Sequence, residues 1–66
     1  MIPKFKELQV VKLIKTFENI PTDTIGTILF ICINEQEIVY EVEFIDKLGN
    51  FYETLAVPEL YLTHIE

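Results

Sequence analysis

The chain has 66 residues, a net charge of −6 at pH 7 and a hydrophobic fraction of 50%. This length favours one domain, and we predict a single domain over residues 1–66. The single cysteine excludes an internal disulfide and a cysteine-based zinc site. No apolar run approaches the roughly 20 residues that span a bilayer, and no signal peptide is recognisable, so we expect a cytoplasmic protein without a membrane segment.

The charges are distributed unevenly. Residues 1–15 carry four of the five lysines and one glutamate, whereas residues 16–66 carry one lysine and ten carboxylates. Because affinity for nucleic acid depends largely on neutralising phosphates with Lys and Arg, this composition disfavours DNA and RNA as partners. It favours a basic protein partner. The high apolar fraction also predicts an exposed patch that a partner or a second copy would cover, so homo-oligomers stay open.

The N-terminal third has the least decisive pattern. We predict that residues 1–7 are a loose lead-in and that residues 16–24, where Asn, Pro, Thr and Asp cluster, form a loop. Between them, residues 8–14 have β-branched side chains, no N-cap and lysines at the wrong end of a helix dipole, which favour a strand. The helix stays an alternative because four apolar residues have helical spacing. They are Val10, Leu13, Ile14 and Phe17.

The sequence pattern of residues 25–44 predicts a hairpin. The unbroken apolar run 28–33 is typical of a strand covered on both faces, with Cys32 as a small core residue. A polar turn over residues 34–37 follows. Strict alternation then predicts a half-buried strand with carboxylates outward and apolar residues inward. The outward residues are Glu41 and Glu43, and the inward ones are Tyr40, Val42 and Phe44.

The C-terminal third adds two short strands. A turn over residues 46–50 ends in Gly-Asn, which suits a positive φ, and residues 51–57 then form a fourth strand. Pro58 interrupts the pattern with a 3₁₀-like turn, and residues 61–65 close the chain as a fifth strand. A rolled-up sheet encloses a core with few residues and removes exposed edges. We therefore predict an all-β, SH3-like small barrel of about five strands.

Residues 23–28 (DTIGTI), 39–46 (VYEVEFID) and 55–60 (LAVPEL) carry a family resemblance that extends over residues 8–65. The chain resembles a family of small, mostly bacterial, single-domain proteins of unknown function. The resemblance implies an SH3-like barrel. It implies no activity, because the family has no agreed one and no catalytic residues. The glycine region is also similar to KOW modules, whose basic surface this chain lacks.

The candidate binding residues are all carboxylates. Glu53, on the strand after Glu41 and Glu43, could lie near them, and the hairpin turn adds two more acids. A solvated outer face that keeps a small barrel in solution is the structural alternative. Paired catalytic carboxylates would need a cleft that shifts their pKa values. The full set of predicted partner-binding residues is Glu35, Glu37, Glu41, Glu43 and Glu53.

The remaining candidates point to structure. Cys32 lacks an activating base in sequence, and the single histidine, His64, cannot form a metal site with scattered carboxylates. We predict no catalytic residue, no metal and no cofactor. Four aromatic residues could line a peptide groove of the SH3 type, with core and rim packing as the alternative. They are Tyr40, Phe51, Tyr52 and Tyr61.

These observations favour a non-enzymatic, acidic protein-binding module. A concrete form is an immunity or antitoxin-type inhibitor that covers the basic surface of its partner with carboxylates. The alternative is a KOW-like nucleic-acid or ribonucleoprotein-associated module that uses the basic N-terminal segment. An enzyme is disfavoured because the sequence has no nucleophile–base pair, no metal set and no cofactor loop.

Overall fold

The computed structural model describes residues 2–65, which form one five-stranded antiparallel sheet. Its strands are β1 (Val10–Leu13), β2 (Ile25–Ile33), β3 (Ile38–Ile45), β4 (Phe51–Pro58) and β5 (Leu62–His64). A 3₁₀ turn, Glu59–Tyr61, precedes β5. The strand order β4-β3-β2-β1-β5, with this turn before the last strand, is the SH3-like arrangement. The predicted all-β small barrel is confirmed.

β1 is a strand, as predicted, and the helical alternative is wrong. Val11 and Leu13 are fully buried, while Lys12 between them is turned outward. This period of two suits a strand that packs one face on the core. β1 pairs with β2 on one side and with β5 on the other, so its backbone groups are bonded along both edges.

The two predicted turns are confirmed. In the β2–β3 turn, the Asn34 side chain accepts hydrogen bonds from the backbone N–H groups of Gln36 and Glu37, at 2.8 and 2.9 Å. In the β3–β4 turn, the carboxylate of Asp46 accepts hydrogen bonds from the backbone N–H groups of Leu48 and Asn50, and Gly49 has φ 85°. Asn and Asp side chains stabilise turns by such local bonds, and glycine takes a positive φ without strain.

The core lies between the curled sheet and the segments that cover it. Ile20, in the loop between β1 and β2, is buried. Phe5 is 1% exposed, and its ring lies edge-on to the Tyr40 ring with 5.4 Å between the ring centroids. The prediction of a loose lead-in is therefore wrong for the described part of residues 1–7, because burying a phenylalanine fixes the segment. Met1 lies outside the described residues. The core comprises Phe5, Val11, Leu13, Ile20, Ile28, Ile38, Tyr40, Val42, Phe44, Val57 and Leu62.

The prediction that β2 is covered on both faces is also wrong. Ile28 lies opposite Val42, and Phe30 lies opposite Glu41. Between these two pairs β2 therefore has one residue more than β3. This is a β-bulge, and it reverses the faces of the residues that follow. Phe30 becomes 61% exposed, and Cys32, predicted as a core residue, is exposed as well.

The sheet keeps two open edges. Within residues 2–65, β4 pairs with β3 alone and β5 with β1 alone, and no ladder joins the two. The expectation that rolling up the sheet removes its edges is therefore not met. β5 has only three residues, whereas β4 has eight and presents the long free edge.

Gly26 is required by the packing between β2 and β3. A Cβ at this position would lie 2.5 Å from Val42 Cγ1 and 2.9 Å from Phe44 Cδ1. We expect Gly26→Ala to lower the free energy of unfolding by about 1–3 kcal/mol through overpacking of the core. Urea unfolding followed by circular dichroism measures the change.

The control is Gly49→Asn, because nothing lies within 4 Å of a Cβ at Gly49 and asparagine tolerates its φ of 85°. We expect a loss of about 1 kcal/mol for this control, which comes from the positive φ alone and not from overpacking. A Gly26→Ala protein as stable as the wild type would contradict the tight contact between the two strands.

Candidate protein-binding face

The sheet face of β2, β3 and β4 that is turned away from the core is hereafter the outer face. Directly paired residues of adjacent antiparallel strands share a face, so the pairing register defines its rows. Three rows cross the strands, each with one residue from β2, β3 and β4. They are Cys32–Val39–Pro58, Phe30–Glu41–Ala56 and Thr27–Glu43–Thr54.

The outer face combines two carboxylates with exposed apolar side chains. Phe30 lies directly beside Glu41, and Ala56 on the other side of Glu41 is exposed as well. The next row contributes Cys32 and Val39, both of them apolar in character. The face is therefore an apolar surface with negative charge at its centre.

Among the described residues, the carboxylates of this face form no ion pair. Within residues 2–65, the one ion pair joins Lys12 Nζ and Asp23 Oδ1 at 3.9 Å, away from Glu41 and Glu43. Lys15 is also engaged elsewhere, because its Nζ lies 4.4 Å from the ring centroid of Tyr61. Lys4 Nζ lies 5.9 Å from the ring centroid of Phe5, so three of the four N-terminal lysines contact groups of their own chain, and none of the three pairs with a carboxylate of the outer face.

The structure brings together part of the predicted acidic set. Glu41 and Glu43 lie on the outer face, and Glu35 and Glu37 are exposed in the β2–β3 turn at its end. Glu53, however, pairs with the buried Phe44 and therefore points to the opposite face. The expectation that Glu53 lies near Glu41 and Glu43 is wrong, because the β4 register places odd-numbered residues inward.

A shallow depression continues the outer face toward the β2–β3 turn. It has a volume of about 350 Å³, and Pro58 belongs both to it and to the outer face. Its lining mixes apolar side chains with two carboxylates, as the outer face does. The residues around it are Ile2, Gln36, Glu37, Ile38, Pro58, Glu59 and Leu60.

Phe30 is the binding candidate that the sequence does not reveal. An apolar run of six residues has no alternation from which a change of face can be read, so the bulge after Ile28 is invisible in it. One signal was present. Every residue of the run 28–33 is apolar, so two phases of alternation fit it equally well.

The other candidates are placed apart from the outer face. The exposed His64 ring packs edge-on to Phe5 at 4.8 Å, and its Nδ1 lies 2.7 Å from Gln9 Nε2. Tyr40 is in the core, and Tyr61 packs against Phe17. Among the described residues, no group of three or more His, Cys, Asp or Glu side chains could hold a metal ion.

The shifted pKa values in the described part of the chain belong to a structural contact between Tyr40 and Glu59. The Tyr40 hydroxyl donates to the Glu59 carboxylate and accepts bonds from the backbone N–H groups of Lys4 and Phe5, at 3.1 and 3.2 Å. Burial and the neighbouring carboxylate raise the pKa of Tyr40. Partial burial opposes the shift of Glu59, but the bonds from Tyr40 and from the N–H of Lys4 lower its pKa.

We expect this contact to make stability depend on pH. A carboxyl whose pKa is lowered in the folded state stabilises the fold above its unfolded pKa, about 4.5, and loses that contribution as the pH falls through the folded pKa. The free energy of unfolding should therefore decline below about pH 4.5 and decline less in Glu59→Gln. Urea unfolding across pH 2–7 measures both slopes.

The same contact predicts a cost for Tyr40→Phe. This variant keeps the buried ring but leaves the N–H of Phe5 without its acceptor, and we expect a loss of about 1–3 kcal/mol at pH 7. Tyr61→Phe, which removes a hydroxyl from a half-buried ring, serves as the control with a smaller expected loss. Equal stability of the two variants would rule out the Tyr40 contact as a stabilising one.

Comparison with known proteins adds no relative. No family model matches the chain, and no curated protein or solved structure matches it. The resemblance to the small SH3-like family therefore stays an expectation. No helix within residues 2–65 has the length and apolarity that a membrane crossing requires.

Proposed function

We propose that this protein is a non-enzymatic binding module that docks a basic protein on its outer face. The observation that carries the proposal is Phe30, which stands 61% exposed beside Glu41 in the middle of that face. A bulge in β2 brings it there, so the exposure is built into the backbone. We expect the protein to act in the cytoplasm, where an exposed thiol such as that of Cys32 stays reduced.

The apolar part of the outer face supplies affinity. Burying one aromatic side chain against a partner contributes about 1.5–3 kcal/mol, and a few such residues dominate the energy of most interfaces. Phe30 shares the outer face with Cys32, Val39 and Ala56, which a partner would cover at the same time. The rim residues of the β2–β3 turn, Glu35 and Glu37 included, remain polar, as interface rims are.

The charged part of the outer face selects the partner. Glu41 and Glu43 project from one strand face and form no ion pair within residues 2–65, and Glu35 and Glu37 add negative charge at its end. Such a surface attracts basic proteins at long range and disfavours nucleic acid. The concrete form that we propose is an immunity or antitoxin-type inhibitor, which would cover the substrate-binding surface of a basic partner.

The single cysteine allows a direct test of the face. A photo-activated crosslinker on Cys32, in the first outer-face row, should join the protein to a lysine- or arginine-rich segment of its partner in a lysate of the source cells. The matched control moves the label to the β3–β4 turn with Cys32→Ser and Leu48→Cys, because Leu48 is 85% exposed. Mass spectrometry identifies the crosslinked peptides, and the control position should give none of them.

The partner that the crosslinking identifies is then purified on its own. Calorimetry measures its affinity for the wild-type chain and for variants of the chain. We expect Glu41→Lys with Glu43→Lys to weaken binding at least tenfold, about 1.4 kcal/mol. Glu7→Lys with Glu18→Lys changes the net charge equally at two exposed positions outside the face, and should change affinity less than threefold. Equal losses from the two charge pairs would refute the outer face as the binding surface.

Phe30 gives an independent test. Because it is mostly solvent-exposed, we expect Phe30→Ser to change the free energy of unfolding by less than about 1 kcal/mol. Its affinity for the purified partner should nevertheless fall at least tenfold, since aromatic anchors carry much of the binding energy. Phe51→Ser, at a phenylalanine 64% exposed, is the matched control and should bind as the wild type does.

A further inference from the structure

The free edge of β4 lies directly beside the outer face. Within residues 2–65, β4 is hydrogen-bonded to β3 on one side only, so its backbone N–H and C=O groups on the other side have no strand partner. An unpaired edge is a template for another strand, and extended peptides commonly bind proteins by adding to one. β4 therefore offers a second recognition element, made of backbone, next to the side chains of the outer face.

The usable part of this edge is short and defined at both ends. At its C-terminal end, Pro58 has no N–H to donate. At its N-terminal end, Glu53 pairs with Phe44 but Phe51 pairs with Ile45, so a bulge interrupts the strand. Regular strand geometry is left over residues 53–57, which would pair with a segment of about five residues.

The side chains between this edge and the carboxylates are small. On the outer face, Ala56 separates the edge from Glu41, and Thr54 separates it from Glu43. A lysine or arginine side chain lays its apolar stem along a surface and carries its charge at the end. From an added strand, such side chains at alternate positions would cross Ala56 and Thr54 and bring their charges to the two carboxylates.

The inward-facing Glu53 restricts what can be added. It lies on the core-facing side of the edge strand, which is a position where a charge blocks pairing with an apolar strand. A second copy of β4 would place another inward-facing Glu53 at the same edge and gain no basic residue, because β4 contains neither lysine nor arginine. The edge therefore favours a polar, basic segment and disfavours self-pairing.

We propose that the partner docks by adding an extended segment, with Lys or Arg at alternate positions, as a sixth strand along residues 53–57 of β4. This inference rests on the proposed function and specifies how the basic partner is held. The backbone edge sets the orientation of the segment. Glu41 and Glu43 then select basic side chains at every second position of it.

The test uses a capped peptide of alternating lysine and threonine, Lys-Thr-Lys-Thr-Lys-Thr-Lys, as the probe. Two further versions carry N-methyl groups, one on the lysine amides and one on the threonine amides. In an added strand, alternate N–H groups point toward β4, so only one of the two methylated sets faces it. Binding is followed at low salt by NMR of the isotope-labelled full chain, with amide hydrogen exchange for residues 53–57.

We expect the parent peptide to slow the exchange of alternate amides within residues 53–57. One methylated peptide should bind at least tenfold more weakly, and the other should bind within about threefold of the parent. Failure of all three peptides to bind would overturn the inference. So would equal binding of both methylated peptides, since a segment held only by side chains is indifferent to their backbone N–H groups.

The variants separate this inference from the proposed function. In one outcome, Glu41→Lys/Glu43→Lys no longer binds the parent peptide, and the wild-type chain binds both methylated peptides equally. This outcome supports the outer face as the docking site and refutes strand addition. In another outcome, the two methylated peptides still bind unequally to the same variant. This outcome supports strand addition and refutes the acidic face as the binding surface. Glu7→Lys/Glu18→Lys is again the charge control and should preserve the full pattern.

Discussion

The alternation of β3 is the constraint on which the rest of the structure depends. Tyr40, Val42 and Phe44 must all be buried, and among the strands of residues 2–65 only β3 has long neighbours on both sides. A slip of one residue would bring the two carboxylates into the core, at a cost that no paired group in this small chain could offset. The register of β2 and β4, and hence the composition of the outer face, follows from this one strand.

The outer face results from a conflict between that strand and β2. In the first half of β2 the even-numbered residues Gly26 and Ile28 face the core. After the bulge an odd-numbered residue, Ile31, faces it. A bulge reconciles the two phases, and Phe30 is the residue that it turns to solvent. Bulges are frequent next to functional sites because they redirect a side chain without altering the rest of the sheet. The candidate site thus begins in backbone geometry, and the acidic side chains complete it.

Much of the fold could be predicted from local chemistry, and the candidate site only in part. The turns at Asn34 and Gly49 and the alternation of β3 depend on neighbours in sequence, so their patterns were sufficient. The exposure of Cys32 and the inward position of Glu53 depend on strand register, and the burial of Phe5 depends on contacts with residues distant in sequence. In particular, the bulges in β2 and β4 each shift the phase by one residue, and neither leaves a mark in an apolar or mixed run. The outward Glu41 and Glu43 were predictable, whereas their apolar surroundings were not.

The contact among Lys4, Tyr40 and Glu59 has a consequence for the order of folding. Its members are separated by as many as 55 residues, and β1 likewise pairs with β5 across most of the chain. Contacts of such long sequence separation form late, because the loop between them must first be closed. During synthesis, the segment that carries Phe5 cannot reach its final position until the turn that carries Glu59 has been made. That segment is synthesised before its partners and is fixed in place only after them.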